Sequence, residues 1–229
     1  MAACSSVEKN SSTPEGSFAL AEEFDKGERY EEAIRRYTEV KNKFPYSNFA
    51  AKAELAIADV YYKQESFAEA QVAYQMFRDL HPTAPQADYV QFRLGMSYYN
   101  QLPSSIDRDL TLANDTILNL SDLIKKYPNS QYVTEAKEKR SATIKMLAEK
   151  EEYIADFYFK REIFDSAISR YEGLYKNYQG LGFDAKALSR IVICAKKLDD
   201  QPRAKKYLAL LEKDFPGSNE LKAAEKELK

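Results

Sequence analysis

Proline is scarce in this chain of 229 residues, with 8 in all, and four of them recur in one setting: NKFPYS, DLHPTA, KKYPNS and KDFPGS. Proline lacks a backbone N–H and cannot continue a helix, so each marks a place where a helix has just ended. Twelve residues before Pro45, Pro82 and Pro216 stand Ala33, Ala70 and Ala204, and four residues after those alanines come Tyr37, Tyr74 and Leu208. A copy at DSAISRYEGLYKNYQ keeps Ala167 and Tyr171 but has Gln179 in place of the proline; one at NDTILNLSDLIKKYP keeps Pro128 but has Thr116 and Leu120. Residues four apart share a helix face, so each copy is a helix presenting a small residue and then a large one to a neighbour. Upstream of each copy lies a second helical stripe: LAEEF (Leu20, Ala21, Phe24), IADVY (Ile57, Ala58, Tyr61), LGMSY (Leu94, Gly95, Tyr98), IADFY (Ile154, Ala155, Tyr158) and the weaker IVICA. Small residues there let two helices approach, and aromatics fill the groove beside them. Cys194 falls in the fifth stripe and reads as a small buried hydrophobe.

This pairing resembles the tetratricopeptide repeat, a helix–turn–helix unit of about 34 residues. The expected fold class is therefore all-α, a TPR-like α-solenoid of about five helix–turn–helix repeats. Two departures shape the expected organisation. An insertion, QLPSSIDRDLT (residues 101–111), lengthens the third repeat. The segment Ser130–Arg161 then runs without Gly or Pro, with Ser130 as an N-cap and apolar residues at helical spacing. One helix of that length would span about 48 Å. The expected division is a flexible tether over 1–16, repeats one to three over 17–128, and a long connecting helix, repeats four and five and a C-terminal helix over 129–229.

Composition narrows the function classes. With 34 basic and 36 acidic residues the net charge is −2, which gives no general attraction to nucleic acid or anionic lipid. No apolar run approaches the ~18 residues that a membrane-spanning helix needs, and no stretch near the start has the ~7–15 apolar residues of an intact signal peptide. Cys4 and Cys194 are too few for a disulfide scaffold, no CxxC pair points to a metal, and the sole histidine, His81, sits at a helix end beside Pro82. The carboxylate pair Glu151/Glu152 is adjacent on a helix and points apart. No catalytic residue, metal or cofactor is expected, and the chain reads as a binding scaffold rather than an enzyme.

Such repeats bind along a groove lined mainly by each unit's first helix. Counting from the repeat starts places Phe18 and Glu22 there, then Leu55, Asp59 and Tyr62, then Tyr89, Phe92, Met96 and Tyr99. That aromatic surface suits an extended or helical peptide with apolar side chains, the alternative being plain packing between helices. Cytoplasmic repeat proteins that grip chaperone C-termini use a Lys/Asn carboxylate clamp. Here Phe18, Glu22, Leu55 and Asp59 hold the equivalent places, and the acids would repel a carboxylate. The acidic stretch EEFDKGERYEE reads as a solvated face, the alternative being a surface for basic segments of a partner.

Several stretches are similar to the BamD/ComL family of outer-membrane assembly lipoproteins: HPTAPQADYVQFRLGMSYY (81–99), DRDLTLA (107–113, with Asp107, Arg108 and Asp109), YPNSQYVTEAKEKRSATIKMLAEKEEYIADFY (127–158) and SRYEGLYKNY (169–178). The resemblance implies a non-catalytic, periplasm-facing scaffold of the β-barrel assembly machinery. It implies lipidation at Cys4, with MAAC the remnant of a processing site and SSVEKNSSTPEG the tether, against an incidental cysteine in a disordered tail. The lipid would be the sole link to the outer membrane. It further implies that the C-terminal half docks on the periplasmic POTRA repeats of the barrel-forming subunit, that small accessory lipoproteins are partners, and that the N-terminal groove handles unfolded outer-membrane protein segments. Arg170, Glu172 and Gly173 are the expected partner-binding residues. Arg170 and Gly173 share one face of a helix, and a glycine inside a helix asks for a reason such as close approach of another backbone. The competing reading pairs Arg170 within its helix to Asp165 or Glu172. A periplasmic peptide-binding adaptor of another envelope complex is the alternative function.

Overall fold

The turn between the two helices of a repeat is the same four times over. In the computed structural model, which describes residues 12–228, Glu28, Glu65, Glu162 and Asp199 all adopt a left-handed backbone with φ between 56° and 60°. Around each, the N–H of the acidic residue bonds the carbonyl three back and the next N–H the carbonyl five back: Glu65 to Tyr62 and Ser66 to Tyr61, and likewise Glu162 to Phe159 and Ile163 to Tyr158. A left-handed residue is the ordinary way to satisfy the last carbonyls of a helix while reversing the chain. In four of the five repeats the second turn carries a proline. The N–H groups of Phe44, His81, Tyr127 and Phe215 close the preceding helix, and Pro45, Pro82, Pro128 and Pro216 follow where no donor is required.

The described residues form eleven helices and no strand. They are α1 (Pro14–Lys26), α2 (Tyr30–Lys43), α3 (Asn48–Lys63), α4 (Phe67–Leu80), α5 (Ala87–Asn100), α6 (Leu112–Lys126), α7 (Val133–Lys160), α8 (Phe164–Asn177), α9 (Asp184–Lys197), α10 (Gln201–Asp214) and α11 (Asn219–Leu228). The pairs α1–α2, α3–α4, α5–α6, α7–α8 and α9–α10 are the repeats, so the chain has the all-α, TPR-like fold its sequence pattern predicts. It divides into two compact units, one holding residues up to Leu102 with Thr111–Arg140, the other Pro103–Leu110 with residues from Ser141 onward. Helix α7 contributes to both.

Two boundaries differ from expectation. Helix α1 already begins at Pro14, whose missing N–H suits a first turn, and Thr13 caps it by accepting from the Gly16 N–H at 3.1 Å; residues 14–16 are thus helix, not tether. Helix α7 starts at Val133, after a turn in which the Ser130 hydroxyl accepts from the Tyr132 N–H at 3.3 Å and donates to Asp88 at 2.7 Å. At 28 residues it spans about 42 Å.

The repeat positions are the core. Ala33, Ala70, Ala167 and Ala204 are at most 1% exposed, and Tyr37, Tyr74 and Tyr171 are fully buried one turn later. In the third repeat Thr116 is tolerated in the alanine place because its hydroxyl donates to the Leu112 carbonyl at 2.9 Å, while Leu120 fills the aromatic place.

Candidate functional site

In the first unit, α4 and α5 bring two tyrosines to Asp59 of α3. The Tyr74 and Tyr89 hydroxyls donate to its Oδ1 at 2.6 and 2.7 Å. The Arg93 guanidinium lies over the Tyr62 ring at 4.5 Å and the Tyr89 ring at 5.3 Å, and its Nε donates to the Tyr89 oxygen at 3.2 Å. Asn100 donates to the Tyr62 oxygen at 2.9 Å, Lys139 sits 5.0 Å over the Tyr99 ring, and Tyr132 lies 5.8 Å from the Tyr89 ring. Tyr62, Tyr89 and Tyr99 remain half-buried. Leu55 is half-buried beside them, and Phe18 packs its ring on Tyr37 and Phe49 at 5.2 and 5.5 Å.

The second unit repeats this arrangement 97 positions later. Asp156 stands for Asp59 and accepts from the Tyr171 hydroxyl as Asp59 does from Tyr74; Arg190 lies 4.0 Å over Phe159 as Arg93 lies over Tyr62. One partner changes: Lys186 replaces Tyr89 and donates to Asp156 at 2.8 Å, and also to Glu152 at 2.8 Å. With that exchange and shallower burial at Asp156, the two carboxyls shift in opposite directions. Burial pushes Asp59 above its ordinary range, outweighing the two phenol hydrogen bonds and the Arg93 and Lys63 charges. Burial acts on Asp156 too, but the Lys186 contact, the Tyr171 hydroxyl and the Arg190 charge together hold it below the ordinary range.

The folded first unit therefore holds the Asp59 proton more tightly than the unfolded chain. Its contribution to stability rises as pH falls through that raised pKa. Asp156 contributes stability above the ordinary aspartate pKa and loses it as pH falls through its depressed one. Carboxyl-carbon NMR titration against Asp59→Asn and Asp156→Asn should place the two midpoints on opposite sides of ordinary aspartate. Midpoints on the same side would refute the assignment.

Other expected residues are placed differently. Phe92 and Met96 are 4% and 5% exposed, so they are core rather than groove. Tyr132 closes over Phe92, stacked at 4.8 Å and 12°. Arg170 does not pair within α8 but reaches α7, with Nη1 3.2 Å from the Glu151 carboxylate. Glu172 lies 3.9 Å from Arg203, and burial together with Glu172 pushes the Tyr207 phenol up to about 12. A Cβ at Gly173 would meet nothing within 4 Å. Glu151 and Glu152 point to different helices, as their spacing requires. In the insertion, Asp107 accepts from the Ser105 hydroxyl, and the Arg108 carbonyl accepts from Lys150 Nζ at 2.5 Å; Asp109 adjoins them in sequence. His81 Nε2 lies 2.7 Å from the Glu54 carboxylate at the end of α4. Cys194 is buried, and burial pushes its thiol up to about 12. Cys4 lies outside the described residues. Among those residues no cluster of His, Cys, Asp or Glu could hold a metal, and no helix is long and apolar enough to cross a membrane.

One surface was not anticipated. An apolar groove of about 560 Å³ runs between α2 and α4 with α3 as its floor, and Ile34, Ile57, Val72, Met76 and Leu80 line it. Val72, Met76 and Leu80 are 55%, 54% and 62% exposed. Their spacing of four was the available signal, readable equally as an ordinary packing stripe.

A family model described as an outer membrane lipoprotein, YfiO, matches residues 13–210. The chain belongs to the YfiO outer membrane lipoprotein family. Curated relatives carry the name outer membrane protein assembly factor BamD. The chain is 27% identical over 210 residues to that of Neisseria gonorrhoeae, covering 88% of this chain and 79% of the relative. It is 28% identical over 197 residues to that of Caulobacter vibrioides, covering 86% and 64%. Among solved structures, the TPR2AB-domain:pHSP90 complex of yeast Sti1 aligns with 96% of this chain and 85% of that one, at a TM-score of 0.49 and 15% identity. The Pseudomonas aeruginosa PilF structure aligns with 95% and 83%, at a TM-score of 0.42. For this YfiO-family chain, the residues described above from Phe18 to Arg190 all fall inside the matched span.

Proposed function

We propose that the chain is a non-catalytic, periplasm-facing scaffold of outer-membrane β-barrel protein assembly. Its first unit holds segments of unfolded outer-membrane proteins against the face carrying Tyr62, Tyr89 and Tyr99. Its second unit docks on the periplasmic POTRA repeats of the barrel-forming subunit through Arg170, Glu172 and Gly173. Small accessory lipoproteins complete the assembly, and a lipid on Cys4 tethers the chain to the outer membrane. The carrying observation is the aromatic face: three half-buried tyrosines with a stacked arginine, on a chain whose relatives are named assembly factors. Aromatic side chains of this kind give large contact area at low conformational cost. The open Gly173 beside a singly paired surface arginine supports the docking surface, since arginine favours bidentate pairing with carboxylates.

Photocrosslinkers at Tyr62 and Tyr99 should capture nascent outer-membrane barrel proteins, and one at the exposed Glu31 should capture far less. Equal yields at all three positions would reduce the tyrosines to packing. In the same preparations Arg170→Glu should weaken capture of the barrel-forming subunit's repeats about tenfold or more. It should cost at most about 1 kcal/mol in stability, because the Glu151 pair is solvent-exposed. Unchanged capture would move the interface elsewhere.

A further inference from the structure

Arginine has five N–H donors in one plane. Arg93 uses one of them, Nε–H to the Tyr89 oxygen, and Arg190 makes no hydrogen bond to the described chain. Among the described residues no carboxylate comes within 4.0 Å of either guanidinium. Both are half-buried and lie over an aromatic ring, at 4.5 Å for Arg93 on Tyr62 and 4.0 Å for Arg190 on Phe159. The contact with the ring uses none of the outer N–H donors and leaves them to meet something else. Covering the ring needs only an apolar side chain; the guanidinium adds a charge felt by the neighbouring aspartate, and an N–H edge that this charge effect leaves unused. Yet the arginine occurs in both copies of the arrangement, where the neighbouring Tyr89 has become Lys186.

We propose that Arg93 and Arg190 are equivalent receptor residues, each binding one carboxylate of a polypeptide that lies along the first helices of its unit. This rests on the groove reading above and adds to it a ligand chemistry and a second site. A single carboxylate beside an aromatic or apolar side chain fits better than a polyanion. Asp59 stands near Arg93 and Asp156 near Arg190, so a phosphate backbone, charged at every unit, would be repelled more than a single carboxylate. The acids themselves are already engaged, Asp59 by two phenol hydroxyls and Asp156 by Tyr171 and Lys186. That leaves the arginine forks to the ligand, where paired charge-assisted hydrogen bonds are strong and directional.

The test uses the full chain and three short tyrosine-rich peptides of one sequence. The first has an internal glutamate and an amidated end, the second glutamine and a free C-terminal carboxylate, and the third glutamine and an amidated end. Calorimetry should show one or both carboxylate peptides binding about tenfold more tightly than the third. Which of the two binds tells side-chain recognition from end recognition. Arg93→Gln should remove one of two preferring sites, Arg190→Gln the other, and the double substitution the preference altogether. If all three peptides bind equally, the carboxylate inference falls while the groove reading stands. A preference that survives the double substitution overturns it as well, and failure of every peptide to bind overturns both. The comparison of peptides on the unmodified chain decides even if a variant fails to fold.

Discussion

Tyr74→Ala is expected to destabilise the first unit by about 3–5 kcal/mol, enough to leave it largely unfolded in a domain of ordinary stability. Tyr74 is fully buried, its ring meets Tyr62 and Tyr89 edge-on at 6.4 and 6.5 Å, and its hydroxyl bonds Asp59 at 2.6 Å. Truncation opens a cavity between α3, α4 and α5 and removes a hydrogen bond from a half-buried carboxylate, two costs that add. Tyr74→Phe separates them. It keeps the ring and loses only the hydroxyl, so about 1–2 kcal/mol is expected. Tyr171→Ala and Tyr171→Phe should repeat the pattern in the second unit. There the hydroxyl loss should be milder, because Asp156 keeps a lysine where Asp59 keeps only a phenol. Urea unfolding followed by hydrogen exchange would assign each loss to its unit. A loss under about 1 kcal/mol for Tyr74→Ala would mean that the repeat tyrosine is not the keystone of its helix pair.

The helix pairs were legible in the sequence because their physics is local. A proline that needs no N–H, an alanine at a crossing and a large residue one turn later leave marks at fixed spacing. The acidic left-handed turns are equally regular but carry no recognised letter, since glycine or asparagine is the usual occupant. Phe92 and Met96 were misplaced for a three-dimensional reason: the pattern assigns them to the open side of α5, and Tyr132, forty residues after Phe92, closes that side. The kinship of Arg93 and Arg190 was hidden because the matching residues sit on two helices each and are separated by a whole repeat with an insertion. Only IADVY and IADFY hinted at it. The partner of Arg170 was missed because it comes from another helix, which i,i+3 and i,i+4 counting does not reach.

Two glycines in helix interiors, Gly95 and Gly173, should respond to the same substitution with opposite signs. Alanine gains about 1 kcal/mol of helix propensity over glycine at either place, so the difference is what the new methyl meets. At Gly95 it would lie 2.5 Å from Leu120 Cδ2 and 3.0 Å from its Cγ, with the Leu120 backbone nitrogen at 3.4 Å. Leu120 is fully buried and occupies the aromatic place of its repeat, so it has nowhere to swing. Strain of about 1–3 kcal/mol then outweighs the propensity, and Gly95→Ala should be destabilising, with Gly95→Val much worse. At Gly173 the methyl enters open space. Gly173→Ala should therefore stabilise the chain by up to about 1 kcal/mol in urea. A residue that lowers stability with no packing reason inside its own chain points outward. If the barrel-forming subunit's backbone approaches α8 there, the stabilised variant should capture its repeats more weakly, by about tenfold or more for a close contact. Stabilisation with unchanged capture would leave Gly173 without a role at the interface, and destabilisation would contradict the open space around it.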